Sequence, residues 1–367
     1  MTSSAAGIHY APAGAFHADL KREVEGYFAR TGRSPRGGLA LGLKGLVLLG
    51  WLGASWGLLV LGHPGALAAV ALAVSAGLAV AGVGFDVMHD ANHGSSSGRR
   101  WVNRLLAYSL DLIGGSSYLW RQKHNVLHHT WPNVAGLDTD GDAGASLRLA
   151  PTQPLRRPHR WQWLYAWPLY GVFALKWWLA DDWKELASGR IGGHAYPRPR
   201  GGDLALLLLC KAAFYGWAIA LPLLLHPTLA ALGLWLLASA TAGVVLSSVF
   251  QLAHCVEDAA HPDGRGGLEL GEDWATHQVH ATVDFARANR LLGWYVGGLN
   301  FQVEHHLFPK VSHVHYRALS PLVEGVCRAH GVRFVARSTL GAALLANVRW
   351  LRVLGRRPVV APRAGVA

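Results

Sequence analysis

Residues 39–61, LALGLKGLVLLGWLGASWGLLVL, are followed by Gly62-His63-Pro64-Gly65 and then by residues 66–85, ALAAVALAVSAGLAVAGVGF. Each run is long enough to cross a bilayer as a helix, which takes about 20 apolar residues because unpaired backbone groups are not tolerated in hydrocarbon. The Gly-His-Pro-Gly connection breaks the helix, so the two runs read as an antiparallel hairpin. A second pair of runs, residues 204–225 and 229–253, flanks His226-Pro227-Thr228 in the same way. Neither connection holds Lys or Arg, whereas Lys21, Arg22, Arg30, Arg33, Arg36, Arg99, Arg100, Arg156, Arg157, Arg198 and Arg200 lie toward the opposite ends. That asymmetry puts both hairpins' open ends, and both termini, in the cytoplasm. Lys44 and Lys211 sit near the inner ends of their helices, where a long side chain is expected to snorkel to the headgroups.

Composition agrees with a membrane class. The chain has 367 residues, of which 51% are hydrophobic and only 15% charged, with a mean hydropathy of +0.21. A formal net charge of +12 raises nucleic acid as a partner, but no zinc-finger spacing or RNP-like aromatic motif accompanies it, so no nucleic-acid binding is expected and the basic residues are assigned to a membrane surface. Cys210, Cys255 and Cys327 form no CxxC pair and read as buried thiols. No apolar signal segment opens the sequence. Phe16, Leu20, Val24 and Phe28 recur every fourth residue and predict a short amphipathic helix, and Leu340, Leu344, Val348 and Leu351 predict another. The Trp- and Tyr-rich stretch from Trp161 to Trp183 predicts an interfacial helix, with a re-entrant or spanning segment as the weaker alternative.

Seven of the twenty histidines fall in three clusters: His89 and His93, His124 with His128 and His129, and His305-His306. At about 100° per residue the i, i+4 pairs His89/His93 and His124/His128 each share a helix face, so two imidazoles can converge on one ion. His129 and the His305-His306 pair point in divergent directions, which suits ligands shared between two metals. All three clusters, and His254 at the end of the fourth helix, arise at one membrane face. Eight imidazoles without nearby thiolate suit two open-sided metals of the iron, copper or zinc kind rather than one structural zinc, and the chain has no HExxH. Asp90, Asp138, Asp140, Glu257 and Glu304 lie beside the clusters and could hold the second ring nitrogen of a ligand. Gln302 and His277 are further candidates for the metal site or its surroundings.

Three segments carry a resemblance to a known family: Phe85 to His93, His124 to His129, and Asn300-Phe301-Gln302-Val303-Glu304-His305-His306-Leu307-Phe308-Pro309. They resemble the three histidine boxes of membrane fatty acid desaturases, and the likeness extends from the first hairpin to the C-terminal tail. It implies two iron ions held by His89, His93, His124, His128, His129, His254, His305 and His306, with O2 as co-substrate and a fatty acyl chain as substrate. Gln302 at the head of the third box resembles the front-end subgroup, which places a double bond between an existing one and the carboxyl end. Relatives of that subgroup often carry a fused cytochrome b5 domain. Here His63-Pro64-Gly65-Ala66 is similar to its haem motif but lies between two spanning helices, so no such domain is expected and electrons are assigned to a separate ferredoxin or to cytochrome b5 with its reductase. Ser95-Ser96-Ser97 is a small departure from the family's pattern.

The expected fold is an all-α integral-membrane protein: four transmembrane helices in two hairpins, with a cytoplasmic helical cap holding a histidine-rich di-metal site. Residues 1–37 form a cytoplasmic N-terminal segment, 38–316 the membrane domain, and 317–367 a cytoplasmic helical tail. The expected function is oxygen-dependent desaturation of an acyl-CoA or acyl-lipid chain. A membrane di-iron hydroxylase of a lipid or hydrocarbon could use the same ligands, and a metal carrier is the alternative of another class.

Overall fold

A computed structural model describes residues 9–141, 143–264 and 270–356; the last eleven residues of the expected C-terminal tail lie outside them. The chain is mostly helical. Among the described residues four helices are long and apolar enough to cross a membrane: α2 (Gly38–Leu61), α3 (Ala66–His93), α6 (Gly201–Leu225) and α7 (Thr228–His254). They follow α1 (Ala15–Thr31) and enclose α4 (Arg121–His128) and α5 (Gln162–Lys176). Shorter helices follow, among them α8 (Trp274–His280), α9 (Gln302–Leu307), α10 (Tyr316–Ala329) and α11 (Leu340–Leu354). Among the described residues strands are two to four residues long and pair two at a time, Tyr10–Ala11 with Leu270–Asp273 and Asp284–Phe285 with Ala336–Arg337 in parallel.

α3 packs against α2 on one side and α7 on the other. Gly77 permits the second contact, since a Cβ there would meet the Ala238 carbonyl and the Thr241 side chain. Leu48, Leu52, Val80, Val83, Met88, Trp178 and Phe214 fill the interior between these helices. α3 does not stop at Phe85: a π-helical turn, Gly84–Met88, carries it on into His89–His93. α4 is π-wound along its whole length, not the ordinary α-helix expected for His124 and His128.

The aromatic segment departs from the expected interfacial helix. α5 runs against α7, with Gly171 beside Ala240 and with Gly243 so close to the Tyr170 carbonyl that a Cβ would collide. Residues 240–243 are the middle of α7, so α5 is packed into the helix array. Lys44 and Lys211 do not snorkel either. Lys44 is buried and ion-paired with buried Asp86, and its Nζ lies 3.0 Å from His313 Nε2. Lys211 donates to Asp182 Oδ2 at 2.5 Å and to the Gly114 carbonyl at 2.6 Å. Each lysine has a buried carboxylate partner that is not adjacent in sequence, so its charge is compensated inside the protein.

α1 buries Phe16, Leu20 and Val24 as its four-residue period predicts, Phe16 and Leu20 among Ala275, Val279, Val303 and Val323, and Val24 among Phe301, Tyr316 and Leu319. It therefore lies against the elements that carry the third histidine cluster. In α11 the buried stripe is Ala343, Asn347, Trp350, Leu351 and Leu354, with Leu340 and Leu344 at its flank. Asn347 turns inward because its amide donates to the Cys255 carbonyl at 2.8 Å, a polar contact that an apolar count overlooks.

Candidate metal centre

Eight histidines expected to converge do so. His89 and His93 end α3, His124 and His128 lie on α4 with His129 directly after it, His254 ends α7, and His305 and His306 lie on α9. All eight are buried. Candidate ligand atoms of His89, His93, His124 and His305 lie within 4.8 Å of one another, as do those of His128, His254 and His306. His129 joins His305 and His306 in a third group of the same span, its ring 4.6 Å from that of His305 and 4.4 Å from that of His306. The eight rings thus form two adjoining groups with His129 between them.

The ring nitrogens point to what the groups can hold. His128 Nδ1 donates to Asp138 Oδ2 at 2.9 Å, while its Nε2 is buried with no partner. His306 Nδ1 donates to Gln278 Oε1 at 3.1 Å, and His305 Nδ1 lies 3.2 Å from the Tyr316 hydroxyl; both Nε2 atoms are again buried and unpaired. His93 Nε2 and His129 Nδ1 are in the same position. A buried polar atom left without a partner costs about 1–3 kcal/mol, and five such atoms on rings of these groups are matched to ligands that accept lone pairs. Outward nitrogen fixed and inward nitrogen free is the arrangement of a metal-binding histidine.

Charge agrees. Burial, reinforced by neighbouring imidazoles, pushes His124, His129, His305 and His306 well below the usual imidazole range. They are neutral, as ligation requires. Burial also disfavours charge on His128, but the Asp138 carboxylate outweighs it and raises that group.

Comparison with known proteins follows the same line. A model of the fatty acid desaturase family matches residues 64–338. The chain belongs to the fatty acid desaturase family. It is 35% identical to the sn-1 linoleoyl-lipid 6-desaturase of Arthrospira platensis, across 98% of this chain and 97% of that protein. It is 34% identical to the sn-1 linoleoyl-lipid 6-desaturase of Synechocystis sp., across 93% and 96%, and 36% identical to the acyl-lipid (8-3)-desaturase of Physcomitrium patens, across 93% and 72%. The protein is a desaturase enzyme, with the membrane character its four apolar helices indicate, which sets aside the metal-carrier alternative.

Around the desaturase's histidines the acidic candidates divide. Asp138 holds His128 and accepts from the Asn133 and Asp140 backbone amides at 2.8 and 2.9 Å; Asp140 lies 3.1 Å from His124 Nδ1. Asp90 is 4.0 Å from His89 Nδ1 and is held instead by Ser312 Oγ at 2.7 Å and by His313. Glu304 is buried beside Asp284. Burial and the neighbouring carboxyl drive Asp284 far up, and burial raises Glu304 as well. Glu257 is exposed. His277 spends both nitrogens locally, on Glu272 Oε1 and the Pro132 carbonyl, each at 2.9 Å, so it has none left for a metal. Gln302 Nε2 lies 3.0 Å from His254 Nε2 and thus reaches the group of His128, His254 and His306. The partners that sequence reading missed are Gln278, Tyr316 and Asn133, whose amide donates to the carbonyls of His254, Ala260 and Ala281 at 3.0–3.2 Å. None carries a local signal; each is defined only by long-range packing.

Proposed function

We propose that this desaturase inserts a double bond on the carboxyl side of an existing one in the acyl chain of a membrane lipid, at two irons held by His89, His93, His124, His128, His129, His254, His305 and His306. The observation that carries the metal assignment is the set of outward-bonded imidazoles, His128, His305 and His306, whose inner nitrogens are buried and unpaired. Nitrogen-only ligation suits iron, and an open two-metal centre supplies the oxidising chemistry with O2. The regiochemistry rests on the relatives named 6-desaturases and (8-3)-desaturase and on Gln302 at the head of the third histidine cluster.

The protein's own groups have three tasks. Asp138 and Gln278 fix the azimuth and tautomer of His128 and His306, and Tyr316 orients His305. Trp120, stacked on His124 at 4.2 Å and edge-on to His89 and His93, shields one side of the centre with an apolar ring. Burial of all eight rings keeps bulk water from an oxidant that must meet two neighbouring methylenes. Desaturation returns both atoms of O2 as water and so draws a pair of electrons from outside the substrate. We assign them to a separate ferredoxin or cytochrome b5 with its reductase.

The topology belongs to the same reading. α2–α3 and α6–α7 are two hairpins whose connections, Gly62 to Gly65 and His226 to Thr228, carry no Lys or Arg, so they face away from the cytoplasm, while the histidine-bearing ends and both termini face it. Residues 38–316 serve as the membrane domain, flanked by cytoplasmic segments. Expression in a host without polyunsaturated lipids, followed by fatty-acid profiling of the lipid extract, tests the function: a new double bond on the carboxyl side is expected, and hydroxylated product or unsaturation only toward the methyl end overturns it.

A further inference from the structure

A pocket of about 160 Å³ opens beside the metal centre, between the loop that follows His129 and the end of α7, and His254 and Asp138 form part of its wall. The described residues contain a larger apolar cavity, about 500 Å³, lined by Trp56, His63, Trp217 and Pro227. It runs from the hairpin connections inward to Val80, Ile113 and Trp178, and none of the eight clustered histidines lines it. The smaller pocket is the one in contact with the chemistry. Its wall is part hydrocarbon, Leu149, Ala150 and Phe250, and part hydrogen-bond acceptor. Gln251, one turn before His254, is 6% exposed and its Oε1 has no donor. His261 Nε2 is likewise buried without a partner.

The protonation of His261 sets what it wants. Burial pulls this group down to about 4, and a hydrogen bond to the Val256 backbone occupies its other side. The proton therefore lies on Nδ1 toward that carbonyl and Nε2 is a bare lone pair. Two buried acceptors with no donor, in a half-apolar pocket, match a group that brings hydroxyl hydrogens on a carbon skeleton. An apolar ligand would leave both unpaired.

Front-end chemistry requires the polar end of the substrate to lie only a few carbon–carbon bonds from the metals. We propose that this pocket binds the carboxyl-end polar group of the substrate, a hydroxyl-bearing ester such as an acylglycerol, with Gln251 Oε1 and His261 Nε2 accepting its hydroxyls. The assignment rests on the acyl-lipid reading above for its role. Its binding chemistry stands apart and is testable without turnover.

The experiment measures binding of a monoacylglycerol and of the methyl ester of the same fatty acid to the purified full chain in detergent. Wild type should bind the monoacylglycerol about five- to tenfold more tightly, as about one net hydrogen bond allows. Gln251→Met and His261→Phe, which preserve bulk and remove an acceptor, should each shrink that preference while leaving methyl-ester affinity and metal content intact. Ala150→Leu, which narrows the pocket and keeps both acceptors, should weaken both ligands alike and covers the case in which an acceptor variant fails to fold. Equal affinity of the two ligands for wild type, or a preference that survives both acceptor substitutions, overturns the proposal. Profiling of wild-type products reports separately on the front-end reading: a hydroxyl preference without front-end product rejects only the latter, and front-end product without a hydroxyl preference rejects only the pocket.

Discussion

Asp138 Oδ2 accepts from His128 Nδ1 at 2.9 Å while His128 Nε2 stays buried and unpaired, so one carboxylate decides which nitrogen faces the centre. Asp138→Asn keeps the size but allows the amide to donate, favouring the opposite tautomer. We expect metal affinity or turnover to fall about 10–100-fold. Glu257→Gln, on the exposed surface, is the control and should change neither. Metal content by mass spectrometry, with turnover beside it, reads both.

Gln302 reaches His254 at 3.0 Å and touches no other ligand ring by hydrogen bond among those described. Gln302→Ala should lower turnover sharply with membrane insertion intact, and Gln302→Asn should not restore it, because its amide is one methylene short. Near-normal activity of the alanine variant would return Gln302 to a packing role.

Lys44 and Asp86 form an ion pair in which both groups are almost fully buried. Removing one charge strands the other, at a cost of about 3–5 kcal/mol, whereas removing both with volume kept is often neutral. Lys44→Met should therefore lower the melting temperature in detergent far more than Lys44→Met with Asp86→Leu. Equal losses in the two proteins would mean that the pair is not what stabilises this contact between α2 and α3.

Glu185 lies outside the four long apolar helices, and burial raises it to about 7, with Asp182, Asp181 and Asp140 adding to the rise and Lys123 opposing it. A carboxyl raised on folding binds its proton more tightly in the native state, so its contribution is fully present below the ordinary glutamate range and is lost as pH climbs through about 7. Melting temperature should fall over that window in wild type, and Glu185→Gln should flatten the fall. A wild-type slope unchanged in the variant would place the titrating group elsewhere.

The proposed topology puts the basic residues of a chain with formal net charge +12 on the face where the proposed electron carrier docks, and electrostatic steering of an acidic carrier weakens with salt. Turnover supported by a ferredoxin should drop as ionic strength rises from about 0.01 M, where the screening length is about 30 Å, to about 0.15 M, where it is about 8 Å. Activity of the pure desaturase with a nicotinamide cofactor alone would contradict the need for such a carrier.

The sequence makes the apolar helices legible because length and hydropathy are local quantities: α2 begins one residue before the expected run and ends with it. The histidines are legible for a related reason, since their spacing of four within helices survives even the π-winding of α4. What sequence leaves dark is the choice of partner for each polar group. Lys44 sits 42 residues from Asp86, Asn133 is 121 from His254, and Gln278 is 28 from His306. No periodicity reports such pairings. Hence the lysines read as snorkelling, His277 reads as a candidate for the metal site or its surroundings, and Tyr316 passes unnoticed. α5 misleads through composition, because aromatic rings that favour an interface also pack well along a neighbouring helix.

The π-turn at Gly84–Met88 separates two properties that a regular helix would lock together. In an α-helix each residue adds about 1.5 Å of length and about 100° of rotation, so the height of His89 above the apolar run and the direction its ring faces cannot be altered independently. A turn with one surplus residue works as a phase adjuster. Deleting a single residue within 84–88 would leave a longer uninterrupted α-helix, better by every local propensity, yet would swing His89 and His93 away from their partners. Loop grafting and chimeras between desaturases should therefore cut before Gly84 or after His93 and carry the surplus residue across as a unit.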